Sequence, residues 1–177
     1  MQRLLTFQLK SIIIYYYDKY ANFYFVKKER LVSMKRRELR EAVLQMLFET
    51  EFRKDETPEE IFVISAENRE YTPADQNEIR KIYFDIVEKK ESIDQVINEC
   101  SSGWKTTRMT RLSLSIMRLC VYEMMYREDI PASVSLNEAV ELCKTYDEPK
   151  ARPFLNGVLN GVKNKLENAG KEEDAKA

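Results

Sequence analysis

From Met34 onward, apolar residues recur at helical spacing along nearly the whole chain. Leu39, Val43, Met46 and Leu47 stand at i, i+4, i+7 and i+8 and draw one apolar stripe along a first helix. Ser33 is placed to cap it in a chain that keeps the residues before Met34. Thr57 and Pro58 open a short helix through Ile61 and Ile64, with the threonine as cap and the proline in the first turn. "ENREYTPADQ" reads as a loop, and at its end Thr72, Pro73 and Asp75 start a helix with Ile79, Ile82, Tyr83, Ile86 and Val87 on one face. A further helix holds Ile93, Val96 and Ile97 and stops near "SSGW", with Gly103 as terminator. The segment "TRLSLSIMRLCVYEMMY" is apolar on most sides, which suits the centre of a bundle. Pro131 turns Ile130 out of the helical region. A helix around Val134, Leu136, Val140 and Cys143 follows, then a turn at "YDEPKARP", then a last helix on Phe154, Val158, Leu159, Val162 and Leu166. Helices joined by short loops predict an all-α, single-domain bundle of about seven helices.

Composition divides the chain. Residues 1–33 are aromatic-rich and carry six Lys and Arg against two acids, whereas the remainder carries 23 against 28, a net charge of −5. The longest apolar run in the first part, Ile12 to Tyr17, is six residues, where a membrane span needs roughly 20. Neither anchor nor signal peptide is expected there, and no membrane partner. Residues 1–33 read as a leader from an over-extended start, poorly packed, with Met34 as the initiator; the alternative is an added arm. Residues 34–167 form the helical domain, and the charged stretch 168–177, poor in apolar side chains, is expected to be disordered.

The residue inventory excludes much chemistry. Histidine is absent, which removes the commonest general base near neutral pH and the commonest metal ligand. Cys100, Cys120 and Cys143 are odd in number and never in a C-x-x-C, so neither a disulfide framework nor a zinc site is expected, and the chain is placed in a reducing cytoplasm. No glycine-rich phosphate loop occurs. Gly157 and Gly161, four apart on a helix, read as a close helix contact. Ser101 and Ser102 have no histidine to activate them. Glu138 and Glu141 beside Asn137 read as an exposed acidic face rather than a cation site. No catalytic residue, metal or cofactor is expected.

Two local patches point instead to a polyanion. At about 100° per residue, Arg36, Arg37 and Arg40 fall within an arc of about 100° beside the apolar stripe, so packing that stripe on the bundle is expected to project three guanidiniums from one edge, with Lys35 as a neighbour. The planar guanidinium donates to phosphate in pairs and is less strongly hydrated than an ammonium. In "YDEPKARPF", Tyr146, Lys150, Arg152 and Phe154 alternate aromatic and cationic side chains on what reads as an irregular connection. Single-stranded nucleic acid is held in this way, bases on rings and phosphates on cations.

These blocks together resemble the NusB family of bacterial transcription antitermination factors. "RRELREAVLQMLF", "GWKTTRMTRLSLSIMRLCVYEMMYREDIP", "VSLNEAVELCKTY" and "FLNGVLN" match its patterns in order, from Met34 to about Leu166. The resemblance implies a helical, non-enzymatic adaptor. It pairs with the small-subunit ribosomal protein that doubles as Nus factor E, binds boxA-type RNA, and acts on the RNA polymerase elongation complex indirectly, in ribosomal RNA operons among others. It carries RNA contacts onto Arg36, Arg37 and Arg40, with Lys35 as helper, and a contact with the protein partner onto Phe48, where the family usually has tyrosine.

The chain departs from the family in places. Ala151 replaces a serine before the last helix, Lys150 and Arg152 add charge there, and Pro153 resets the helix start. Ser113 and Leu114 replace an Asp-Arg pair, so an ion pair is expected to be missing. Two other readings compete: a scaffold that binds protein alone, and a detached RNA-binding domain of a ribosomal RNA cytosine methyltransferase, which needs an α/β catalytic domain in addition.

Overall fold

A computed structural model describes residues 33–67, 69, 71–101 and 105–174, with side chains to 169. Of the chain's two compact units, residues 1–30 and 31–177, the described residues all belong to the second. Among them are seven α-helices and no strand: α1 (Arg36–Phe52), α2 (Pro58–Glu67), α3 (Pro73–Glu88), α4 (Lys90–Cys100), α5 (Arg111–Tyr126), α6 (Ala132–Tyr146) and α7 (Ala151–Asp174). A single 3₁₀ turn, Thr106–Arg108, precedes α5. The residues read as the leader, Ser33 apart, and the Gly103 stop signal lie outside the described residues.

The caps follow the sequence signals with one exception. Thr57 accepts from the Glu60 backbone N–H while the Glu60 carboxylate accepts from the Thr57 N–H at 2.7 Å, a reciprocal box at the start of α2. Thr72 accepts from the Asp75 N–H at 3.1 Å and starts α3. Ser33, however, does not cap α1. Its hydroxyl donates to Asp75, whose carboxylate also accepts from the Met34 N–H, so the entry to α1 is tied to the start of α3. At α1 itself the Lys35 N–H is satisfied by Glu38 at 2.8 Å.

The all-round apolar segment is the central helix, as its pattern predicts. Every residue of α5 from Leu112 to Glu123 is buried, and α5 packs against α1, α3, α4, α6 and α7. Each large apolar side chain removed from water there contributes about 1.5–3 kcal/mol. Two charged groups are buried with them, and both are paired. Arg118 forks onto Asp94 with two bonds of 2.7 Å and reaches Glu51 with a third. The other buried charge, Glu123, is paired with Arg40 of α1, and the exposed Arg111 meets the second Glu51 oxygen at 2.8 Å, so Arg118 and its partners tie α1, α4 and α5 together.

The register of α6 differs from the expected one. Ser135, Ala139, Leu142 and Cys143 face inward, whereas Val134 is exposed. The small Ser135 and Ala139 let α6 lie close on α5, and that approach outweighs burial of one valine. Gly161 is a close helix contact, since a Cβ there would meet the Cys100 Cβ at 3.3 Å, but Gly157 faces open space. Helix α7 runs to Asp174, past the boundary expected at residue 167.

Candidate nucleic-acid interface

The first turn of α1, the end of α6 and the start of α7 meet at one side of the bundle. Tyr146 is the last residue of α6. Burial, with the charge of the nearby Glu41, pushes its pKa up to about 12, against the opposing pull of Arg37 and Arg69. Arg37 lies 3.5 Å from the same Glu41 carboxylate. Nearby, Glu141 is held below the usual carboxylate range first by its bond to Lys144 and further by the charges of Arg37 and Arg152. Arg37 from the start of the domain and Arg152 from its last helix thus bear on one acid. The two sequence patches are neighbours.

The three arginines differ in access. The Arg36 side chain is 67% exposed and 3.5 Å from Asp129, and Arg37 is 46% exposed. Such open pairs are worth about 0.2–1 kcal/mol and yield readily to a phosphate. Arg40 is the exception: its side chain is 8% exposed, with Nε and Nη2 donating to Glu123 at 2.8 and 3.2 Å and Nη1 lying 3.6 Å from Glu138. The expected edge of three guanidiniums is therefore an edge of two. The cause is a buried acid on α5: leaving it unpaired costs about 3–5 kcal/mol, so Arg40 turns inward. By the same contact Glu138 is not part of an exposed acidic face.

The second patch is more helical than its sequence suggests. Only Lys150 stands on the connection between α6 and α7, strongly exposed and 2.7 Å from Glu148. Arg152 and Phe154 belong to the first turn of α7, which tolerates Pro153 because its N–H has no intrahelical partner there. Arg152 is half-buried, and its Nε is shielded with no hydrogen-bond partner among the described residues. The missing Asp-Arg pair of α5 has a local substitute, since the Ser113 hydroxyl donates to Asp147 and so anchors the start of the connection.

Phe48 packs on Phe52, ring centroids 4.8 Å apart and planes tilted by 56°, near the far end of α1. It follows Arg37 by eleven residues, close to three full turns, so both lie on one face of the helix about 16 Å apart along its axis. Several partners here went unnamed in the sequence reading: Glu41, Asp129, Glu123, Arg127 and Arg69. Glu123 alone carried a signal, as a lone acid in an otherwise apolar stretch of the central helix. Among the described residues no group of His, Cys, Asp and Glu could hold a metal, and no helix is long and apolar enough to cross a membrane.

A family model described as the NusB family matches residues 37–164, a stretch that contains every expected site residue except Lys35 and Arg36. The chain belongs to the NusB family. A transcription antitermination protein NusB of Bacillus pumilus (strain SAFR-032) is 40% identical over 133 residues, covering 75% of this chain and 98% of the relative. A NusB structure from T. maritima is similar with a TM-score of 0.69 and 30% identity, over 75% of this chain and 93% of that one. A further crystal structure, of antitermination factors NusB and NusE in complex with dsRNA, is similar at TM-score 0.65 and 25% identity, over 73% of this chain and 96% of that one. The NusB family is one of antitermination factors, not of enzymes.

Proposed function

We propose that this chain is a transcription antitermination factor that acts as an RNA-binding adaptor. With the small-subunit ribosomal protein that serves as Nus factor E, it takes boxA-type single-stranded RNA and supports ribosomal RNA transcription, touching the RNA polymerase elongation complex only indirectly, in the cytoplasm. The observation that carries the reading is the juxtaposition of Arg37, next in sequence to the exposed Arg36, with Tyr146 and Arg152 on one side of an otherwise acidic bundle. Phosphates meet Arg36, Arg37, Lys35 and Lys150, with Arg152 as a further cation in the first turn of α7, and Tyr146 and Phe154 offer faces for bases. Phe48 is the contact to the ribosomal partner, on the same face of α1 as Arg37, so RNA and protein share a surface and each raises the other's effective concentration.

The testing experiment is binding of a boxA-type oligonucleotide with and without the ribosomal partner. The expected result is salt-dependent RNA binding by the chain alone and tighter binding with the partner present. A chain that captures the partner but shifts no oligonucleotide would be a protein scaffold instead.

A further inference from the structure

Arg40 sits one turn after the two exposed arginines and is held by two other helices at once. Its Nε and Nη2 fork onto the two oxygens of Glu123 in α5, and its Nη1 faces Glu138 in α6. Glu138 precedes Tyr146 by eight residues, about two turns and about 12 Å along the same helix. One buried guanidinium therefore refers the helix that carries Arg36 and Arg37 to the helix that ends in the aromatic part of the proposed RNA track.

We infer that Arg40 is a positioning residue for RNA binding: it meets no phosphate and instead fixes the Arg36–Arg37 turn against the Tyr146 end of α6. This rests on the function proposed above. Turning Arg40 outward to a phosphate would strand Glu123, which is 5% exposed, in the last turn of α5. The fork is the part that matters, because a guanidinium bound through two parallel N–H donors fixes direction as well as distance, whereas an ammonium acts as a point charge. A site for a repeating polyanion depends on such fixed spacing between its cations and its rings. Glu138, with one shielded oxygen that has no hydrogen-bond partner among the described residues, leans on the same guanidinium by charge alone.

The test uses the whole chain and two substitutions that conserve every charge. Arg40→Lys keeps the cation but loses the fork; Glu123→Asp keeps the anion but draws it back by one methylene. Affinity for a boxA-type oligonucleotide is measured at a temperature where circular dichroism shows each variant folded. Both are expected to bind roughly three- to tenfold more weakly, and Arg36→Ala is expected to cost less in the Arg40→Lys background than in the parent, because a displaced Arg36 has less to lose. A merely structural Arg40 would lower the melting temperature without that coupling. Wild-type affinity in both variants, or an undiminished cost of Arg36→Ala, overturns the assignment while leaving the RNA reading intact. Absence of salt-dependent binding by the parent chain overturns both.

Discussion

Arg37 and Tyr146, 109 positions apart in the sequence, both answer to one carboxylate: Glu41 stands 3.5 Å from the guanidinium, and its charge, after burial, raises the pKa of the phenol. The cation is thereby held beside the ring while both remain on the surface side of the bundle. A phosphate that takes the Arg37 guanidinium over from Glu41 leaves the ring in place to receive a base.

Arg36→Ala together with Arg37→Ala is expected to weaken RNA binding and to flatten its dependence on salt by about 1.4 in the slope of log K against log salt, at about 0.7 per phosphate contact on a single strand. Fluorescence anisotropy across a salt series reads both quantities. The fold is expected to be unaffected, since these pairs are open to solvent and worth little.

Tyr146→Ala is expected to cost about 1–3 kcal/mol of RNA binding if a base stacks on the ring, and Tyr146→Phe much less, because the face survives the loss of the hydroxyl. With its pKa raised to about 12, the phenol stays neutral through the neutral range, so RNA affinity is expected to be flat with respect to this group between about pH 6 and 9. The stabilisation tied to its raised value is fully present below the ordinary 10 and is lost as pH climbs toward 12.

Glu51 sets an acid limit on stability. Burial opposes its ionisation, but the hydrogen bond from Arg118 and the charges of Arg118, Lys90 and Lys54 overcome this and hold its pKa at about 2, against an ordinary 4.5. A lowered value means stability that is present above 4.5 and drains away as pH falls toward 2, on the order of 3 kcal/mol in all. Denaturant melts at pH 5 and pH 3 are expected to show this loss in the parent and a much smaller one in Glu51→Gln, which starts from a lower stability.

Gly157→Ala and Gly161→Ala are expected to move in opposite directions. At 157 the added Cβ meets nothing, so the helix gains about 0.5–1 kcal/mol of propensity and the melting temperature rises by about 2–4 °C. At 161 it presses on Cys100 at 3.3 Å, and a net loss of roughly 1 kcal/mol is expected. Thermal melts of the two variants decide the matter.

Much of this was legible in the sequence because it was local. The stripe of Leu39, Val43 and Met46, the Thr72 cap and the all-round apolarity of α5 are each written within a few turns of chain. The inward turn of Arg40 was not, because its cause lies 83 residues away in Glu123. On the helical wheel, at about 100° per residue, Arg40 sits only about 20° from Leu47, against the core, while Arg36 escapes by standing at the helix end. The inward face of α6 was missed for a related reason. Hydrophobicity favours Val134, but close approach to α5 favours Ser135, and only the neighbouring helix reveals which wins. Arg152 and Phe154 looked irregular because Pro153 reads as a breaker, yet a helix's first turn accepts it.

The most direct measurement is the affinity of the unsubstituted chain for a boxA-type oligonucleotide between about 50 and 200 mM salt. Three or four phosphates on Lys35, Arg36, Arg37 and Lys150 predict a slope of log K against log salt of about −2 to −3. A slope near zero, or no binding at the lowest salt, would contradict the account.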